Sequence, residues 1–142
     1  MGVATVTAEQ LIQYMPVPYA VSTFDSVYAI PTKEWVLGEY STFYKDFLTK
    51  MGLSNWHVDF DCDNFATLFF TLAQCGHARA ETRKEGIAIG VFCYVPWNAG
   101  KNEAHAINVA VTDKGVIFLE PQTCFEKTLD LKELQSCFQV LF

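Results

Sequence analysis

The chain has 142 residues, 51% of them apolar and 15% aromatic. A chain of this length buries about two thirds of its unfolded surface, so a core can form without metal or disulfide staples, and one domain over 1–142 is expected. Ten basic against sixteen acidic residues, with a formal net charge of −6 and no basic run, exclude nucleic acid and anionic lipid as partners, since both need clustered Lys or Arg.

The opening segment, MGVATVTAEQLIQYM, has no basic region followed by a long apolar one, so no secretory signal is expected. Thr7 is placed to cap a short helix that runs through Tyr14 and ends at Pro16 and Pro18. Pro31-Thr32 opens a second helical segment, where Tyr40, Phe43, Tyr44 and Phe47 fall on one face and Gly52 closes the helix. From Cys62, the residues Phe65, Leu68, Phe69 and Leu72 recur at helical spacing, widened by Ala66, Phe70 and Ala73. That breadth marks a helix buried over most of its circumference. It is expected to end at Gly76, with 77–86 as a surface loop or turn. A buried strand is expected over 87–95, a turn over 96–100, and strands over 105–112 and 116–120. Asp113-Lys114-Gly115 joins the last two as a hairpin. A final helix fits 130–137. Helices first and an antiparallel sheet second is an α+β layout.

No apolar run approaches the roughly 18 residues of a membrane span. The five cysteines are odd in number and form no C-x-x-C pair, which reads as reduced thiols in a cytoplasmic protein.

Asp61-Cys62-Asp63-Asn64-Phe65-Ala66 puts a cysteine at the start of the buried helix. Unpaired N–H groups and a positive dipole end favour thiolate there and can hold an oxyanion. Asp61 and Asp63 oppose that effect unless they turn away or hold a cation, and Asp61 is also a natural N-cap. His105 opens a strand and is the candidate imidazolium partner of Cys62. If Lys114-Gly115 is a two-residue turn, His105, Glu120 and Gln122 share one face, with Gln122 nearer; a three-residue turn would separate them. Either Glu120 or Gln122 could then orient the imidazole.

A cysteine on a buried helix, His-Ala on a strand and a polar group on the next strand is the papain-like order. Asp61-Cys62-Asp63-Asn64-Phe65-Ala66, His105-Ala106-Ile107-Asn108 and Glu120-Pro121-Gln122 together resemble the C-terminal protease domain family of the fairy-ring mushroom agglutinin, including its stand-alone relatives in phages and bacteria. The resemblance implies a papain-like (NlpC/transglutaminase-like) fold and a calcium-assisted cysteine protease acting on a peptide or protein substrate. It implies Cys62 as nucleophile, His105 as base and Glu120 as orienting residue, with Gln122 beside it. Trp56 matches a tryptophan near that family's active site, one residue short in spacing. The family's sugar-binding trefoil has no counterpart in this length of chain.

Asp59, Asp61 and Asp63 alternate, a plausible start for calcium, with Asp61 and Asp63 nearest the cysteine. His57 is a rival base, Cys75-x-His77 a weak zinc pair, and Trp97 and Asn98 candidate cleft residues. The leading expectation is a cysteine hydrolase. The alternatives are a non-enzymatic binding module that keeps the papain-like fold, and a transglutaminase-type acyl transferase.

Overall fold

The computed structural model describes residues 4–80, 84–96 and 103–142. Strand β1 (Thr5–Thr7) leads into α1 (Ala8–Gln13). The Thr7 side chain accepts from the Gln10 N–H, and the Gln10 side chain accepts from the Thr7 N–H. Two orphan donors are thereby satisfied reciprocally. A single 3-10 turn (Pro18–Ala20) precedes β2 (Val21–Ser22) and β3 (Val27–Ala29).

A continuous helical stretch follows: α2 (Lys33–Trp35), a π-helical segment (Val36–Tyr40) and α3 (Ser41–Met51), closed by Gly52 in the left-handed conformation at φ 70°. The π-helical turn rotates the buried face. Val36, Tyr40, Tyr44 and Leu48 are buried, whereas Phe43 is 50% exposed, so the expected Tyr40-Phe43-Tyr44-Phe47 face is only half right.

The next helix, α4, runs from Cys62 to Arg79. Gly76 lies inside it rather than at its end. An interior glycine costs about 1 kcal/mol, less than the packing of the helix returns. Phe65, Ala66, Phe69 and Ala73 line its buried face, while Cys75 and Gly76 face solvent. The helix is therefore buried along one side and not around most of its girth. The stretch expected as a 77–86 loop divides into the end of α4, a part outside the described residues, and the buried Gly86 at the start of β4 (Gly86–Ile87).

The remaining elements are β5 (Ile89–Tyr94), β6 (His105–Thr112), β7 (Gly115–Glu120), β8 (Phe125–Lys127), α5 (Leu131–Gln135) and β9 (Gln139–Leu141). Six strands form one sheet in the order β2-β9-β5-β6-β7-β8, and three form a second in the order β1-β3-β4. Strands β5 to β8 pair antiparallel, whereas β2 runs parallel to β9 and β3 parallel to β4. The architecture is α+β, but strands stand at both ends of the chain and the sheets are mixed, which corrects the helices-first, purely antiparallel expectation. The missed strands have two or three residues each, too few to show a period of two.

Alternation along β6 divides the core. Ile107, Val109 and Val111 join Leu11, Phe92, Tyr94 and Phe142 on one face. Ala106 and Ala110 face the helical side, where Ala110 packs with Tyr44, Phe65 and Phe69, and Ala106 with Ala66. The hairpin between β6 and β7 pairs Thr112 with Gly115, so Asp113-Lys114 is the two-residue turn. The Thr112 hydroxyl accepts from the Lys114 N–H and donates to the Gly115 carbonyl. Gly115 takes the positive φ of 101° that follows the turn. This register is shifted by two residues from the expected one, which keeps every side chain on its predicted face.

Candidate functional site

The start of α4 is held in place by side chains from three directions. The Tyr44 hydroxyl donates to the Phe65 carbonyl at 2.7 Å, and the Tyr40 hydroxyl to the Phe69 carbonyl at 2.5 Å. Asn108, fully buried on β6, donates from Nδ2 to the Ala66 carbonyl at 2.9 Å and to the Gly90 carbonyl at 3.0 Å. A buried amide with both N–H groups satisfied fixes the distance between helix and sheet. Asp61 is the N-cap, in extended conformation, and its N–H donates to Asn64 Oδ1 at 3.1 Å.

His105 opens β6 opposite Tyr94, whose ring meets the imidazole edge-on at 5.9 Å between centroids. Nε2 of His105 donates to Glu120 Oε2 at 2.7 Å, a length typical of a charge-assisted bond. Glu120 is the last residue of β7. Gln122 has already left the ladder for the following turn and is exposed. Of the two candidate partners, the imidazole therefore binds Glu120.

Trp56, Asp61, Cys62, Glu103, Ala104, His105, Glu120 and Gln122 line one open groove of about 670 Å³. Trp56 stands in the loop before α4 and is 54% exposed. Glu103 and Ala104 were not anticipated. Glu103 lies two residues before His105, and strand parity carried back past His105 would have pointed to it. Asp63 lies in the first turn of α4, exposed beside the groove.

The electrostatics at Cys62 run against thiolate formation. Burial pushes the thiol above its usual value, a backbone hydrogen bond from Ala106 offsets part of the shift, and Asp61 and Asp63 push it up again. The Asp61 carboxyl is also raised, chiefly because its side chain shares a hydrogen bond with Asp63. Asp61 Oδ1 is enclosed and has no hydrogen-bond partner.

The other candidates lie apart. His57 is exposed and bridges Phe60 through the backbone, and Asp59 is exposed beside it. Cys75 is exposed, whereas Nε2 of His77 sits 3.5 Å from Glu85. Among the described residues, no group of three potential metal ligands is gathered. Trp97 and Asn98 lie outside the described residues. No helix in the described residues is long and apolar enough to cross a membrane.

The family model described as Agglutinin C-terminal matches residues 39–126. That is more than half of the chain, and the chain belongs to this agglutinin C-terminal family. No curated protein matches the sequence. Among solved structures, one described as a PSL1a-E64 complex has a TM-score of 0.72 at 20% identity, covering 97% of this chain and 51% of the other. A Polyporus squamosus lectin bound to the epitope Neu5Aca2-6Galb1-4GlcNAc has a TM-score of 0.71 at 20% identity, covering 97% of this chain and 49% of the other. The chain spans about half the length of either neighbour, and the likeness is one of fold.

These findings correct the enzymatic expectation. The family is an agglutinin family and the solved neighbours are lectins, so the cysteine hydrolase reading, its thiol-protease label and the acyl-transfer variant are set aside. The physical reason agrees with them. Thiolate is favoured where the thiol is lowered, whereas burial, with Asp61 and Asp63, pushes the Cys62 thiol up. The peptide substrate loses its basis with the hydrolase, and the ligand reported for a neighbour is a glycan.

Proposed function

We propose that this chain is a non-enzymatic binding domain on a papain-like scaffold, and that its groove holds a glycan. The observation that carries the reading is the lining of the groove. An exposed indole, Trp56, stands with Asp61, Glu103, Glu120 and Gln122 around one open cleft. A pyranose offers an apolar C–H face and a rim of hydroxyls. The first packs on an aromatic ring, and the second donates to carboxylate and amide oxygens, where charge assistance strengthens each bond. The site residues in this reading are Trp56, Asp61, Cys62, His105, Glu120 and Gln122. The Cys62 thiol serves as a small neutral surface, and His105 is held by Glu120.

Calcium belongs to the same proposal. The partnerless Asp61 oxygen beside a second carboxylate fits a hard cation, and Asp61 and Asp63 would hold it, with water completing a shell of about six to eight oxygens. Bound there, it would supply charge neutralisation at the start of α4. We also propose that residues 1–142 act as one unit, in the reducing cytoplasm that five free cysteines suit.

Calorimetric titration with N-acetyllactosamine and a panel of neutral and sialylated oligosaccharides tests the glycan reading. Saturable binding is expected, weakened about tenfold by Trp56→Ala, a change equivalent to about 1.4 kcal/mol. No binding to any member, or binding indifferent to Trp56→Ala, overturns it.

A further inference from the structure

We infer that a second cleft, toward the far end of α4 from Cys62, binds a free aromatic amino acid. The cleft lies between the π-helical segment, the start of α3 and the last turns of α4. It holds about 560 Å³, within the range of about 300–1,000 Å³ of small-molecule sites. Gly76 in its floor is roughly 21 Å along the helix from Cys62, so the cleft is separate from the groove and owes nothing to the glycan reading.

One wall is aromatic. The Trp35 ring stacks on Tyr40 at 5.0 Å and 21°, and Phe43 follows at 6.1 Å from Tyr40, half exposed. The Tyr40 hydroxyl, bonded to the Phe69 carbonyl, fixes this wall to α4. A Cβ placed on Gly76 meets nothing within 4 Å, so no packing inside the chain calls for glycine there. Glycine is a poor helix former in a helix interior, and here its missing side chain leaves the floor open to a flat ring. Glu39 and Arg79 line the same cleft, both exposed and, among the described residues, not paired with each other. Opposite charges beside an aromatic wall complement a zwitterion: its carboxylate on the Arg79 guanidinium, its ammonium on Glu39, and its ring against Trp35 and Phe43. A peptide end carries one of the two charges, and a neutral sugar carries neither.

The test is calorimetric titration of the whole chain with L-tryptophan, with indole-3-propionate, which lacks the ammonium, and with tryptamine, which lacks the carboxylate. L-tryptophan is expected to bind tightest. Arg79→Gln should weaken L-tryptophan and indole-3-propionate about two- to fivefold, the modest factor of an exposed ion pair, and leave tryptamine unchanged. Glu39→Gln should weaken L-tryptophan and tryptamine alike. Cys75 lines the cleft, so saturating L-tryptophan should also slow its alkylation by iodoacetamide. Gly76→Leu should melt no lower than the parent, since leucine favours helix, yet lose binding, with Gly76→Ala between the two. No binding of L-tryptophan, binding that leaves Cys75 alkylation unchanged, or analogues that bind as tightly as the amino acid overturns the proposal. So does a folded Gly76→Leu or charge variant that binds like the parent. None of these outcomes touches the glycan reading, whose own test is Trp56→Ala.

Discussion

His105 Nε2 lies 2.7 Å from Glu120 Oε2, a bond between the first residue of β6 and the last residue of β7. The two strands are joined by the tight turn at Asp113-Lys114, so the far end of the hairpin is closed by a side-chain pair as the near end is closed by Thr112. Both side chains are mostly buried, at 25% and 23% exposed. A bond of this kind is worth more than a surface ion pair because less water competes for it.

Glu120→Ala is expected to destabilise the chain by about 1–3 kcal/mol, the usual cost of stranding a mostly buried polar group. Glu120→Gln retains an acceptor and should cost less. Urea denaturation of the three proteins checks the order. A Glu120→Ala variant as stable as the parent would show that the pair is only a surface contact.

The raised thiol of Cys62 has a direct consequence for alkylation. Iodoacetamide reacts with thiolate, so labelling of Cys62 is expected to be slow at about pH 6 and to climb steeply through the alkaline range. Exposed Cys75 should be modified before it. Peptide mapping by mass spectrometry at a series of pH values reads both rates. Preferential labelling of Cys62 at the acid end would contradict the electrostatics described for α4.

Asp61 and Asp63 set a pH dependence whose sign follows from the raised Asp61 carboxyl. A group that holds its proton more tightly when folded contributes stability that is fully present below its unfolded value, about 3.9, and is lost as pH rises through the raised value. At neutral pH the two carboxylates therefore repel. Asp63→Asn should raise the melting temperature at about pH 7 and leave it nearly unchanged at about pH 3. Millimolar calcium should raise the parent's melting temperature more than the variant's, and a ligand at about 100 times its dissociation constant adds about 2.7 kcal/mol. Equal melting curves for parent and variant, with and without calcium, would remove the pair as a cation site.

Asn108 is the polar residue that ties α4 to the sheet. Asn108→Leu keeps the volume but strands two carbonyl oxygens, at Ala66 and Gly90, so a loss of about 2 kcal/mol is expected. Chemical denaturation measures it. An unchanged midpoint would mean that apolar packing alone holds the start of the helix.

Much of this was legible in the residues themselves. Thr7 capping α1, Gly52 closing α3, the start of α4 at Cys62 and the whole of β6 follow from local chemistry: a side chain that reaches a nearby N–H, a residue that accepts positive φ, and an apolar repeat. The family membership was legible as well, through three short motifs on three elements. So was the parity that places His105 and Glu120 on one face, because a strand alternates whatever its partner.

What the tertiary structure alone decided is which distant groups meet, and with what charge. The choice of Glu120 over Gln122 turned on where β7 ends: Glu120 is its last residue, and Gln122 has left the ladder for the following turn. The protonation of Cys62 turned on burial and on two carboxylates that outweigh the backbone donor at Ala106, a balance of opposing effects that no helix-start pattern carries. The short strands at both ends have no periodicity of their own. They exist because β3, β5 and β9 offer them unpaired backbone edges, and hydrogen bonding to an edge depends on where the rest of the chain has folded.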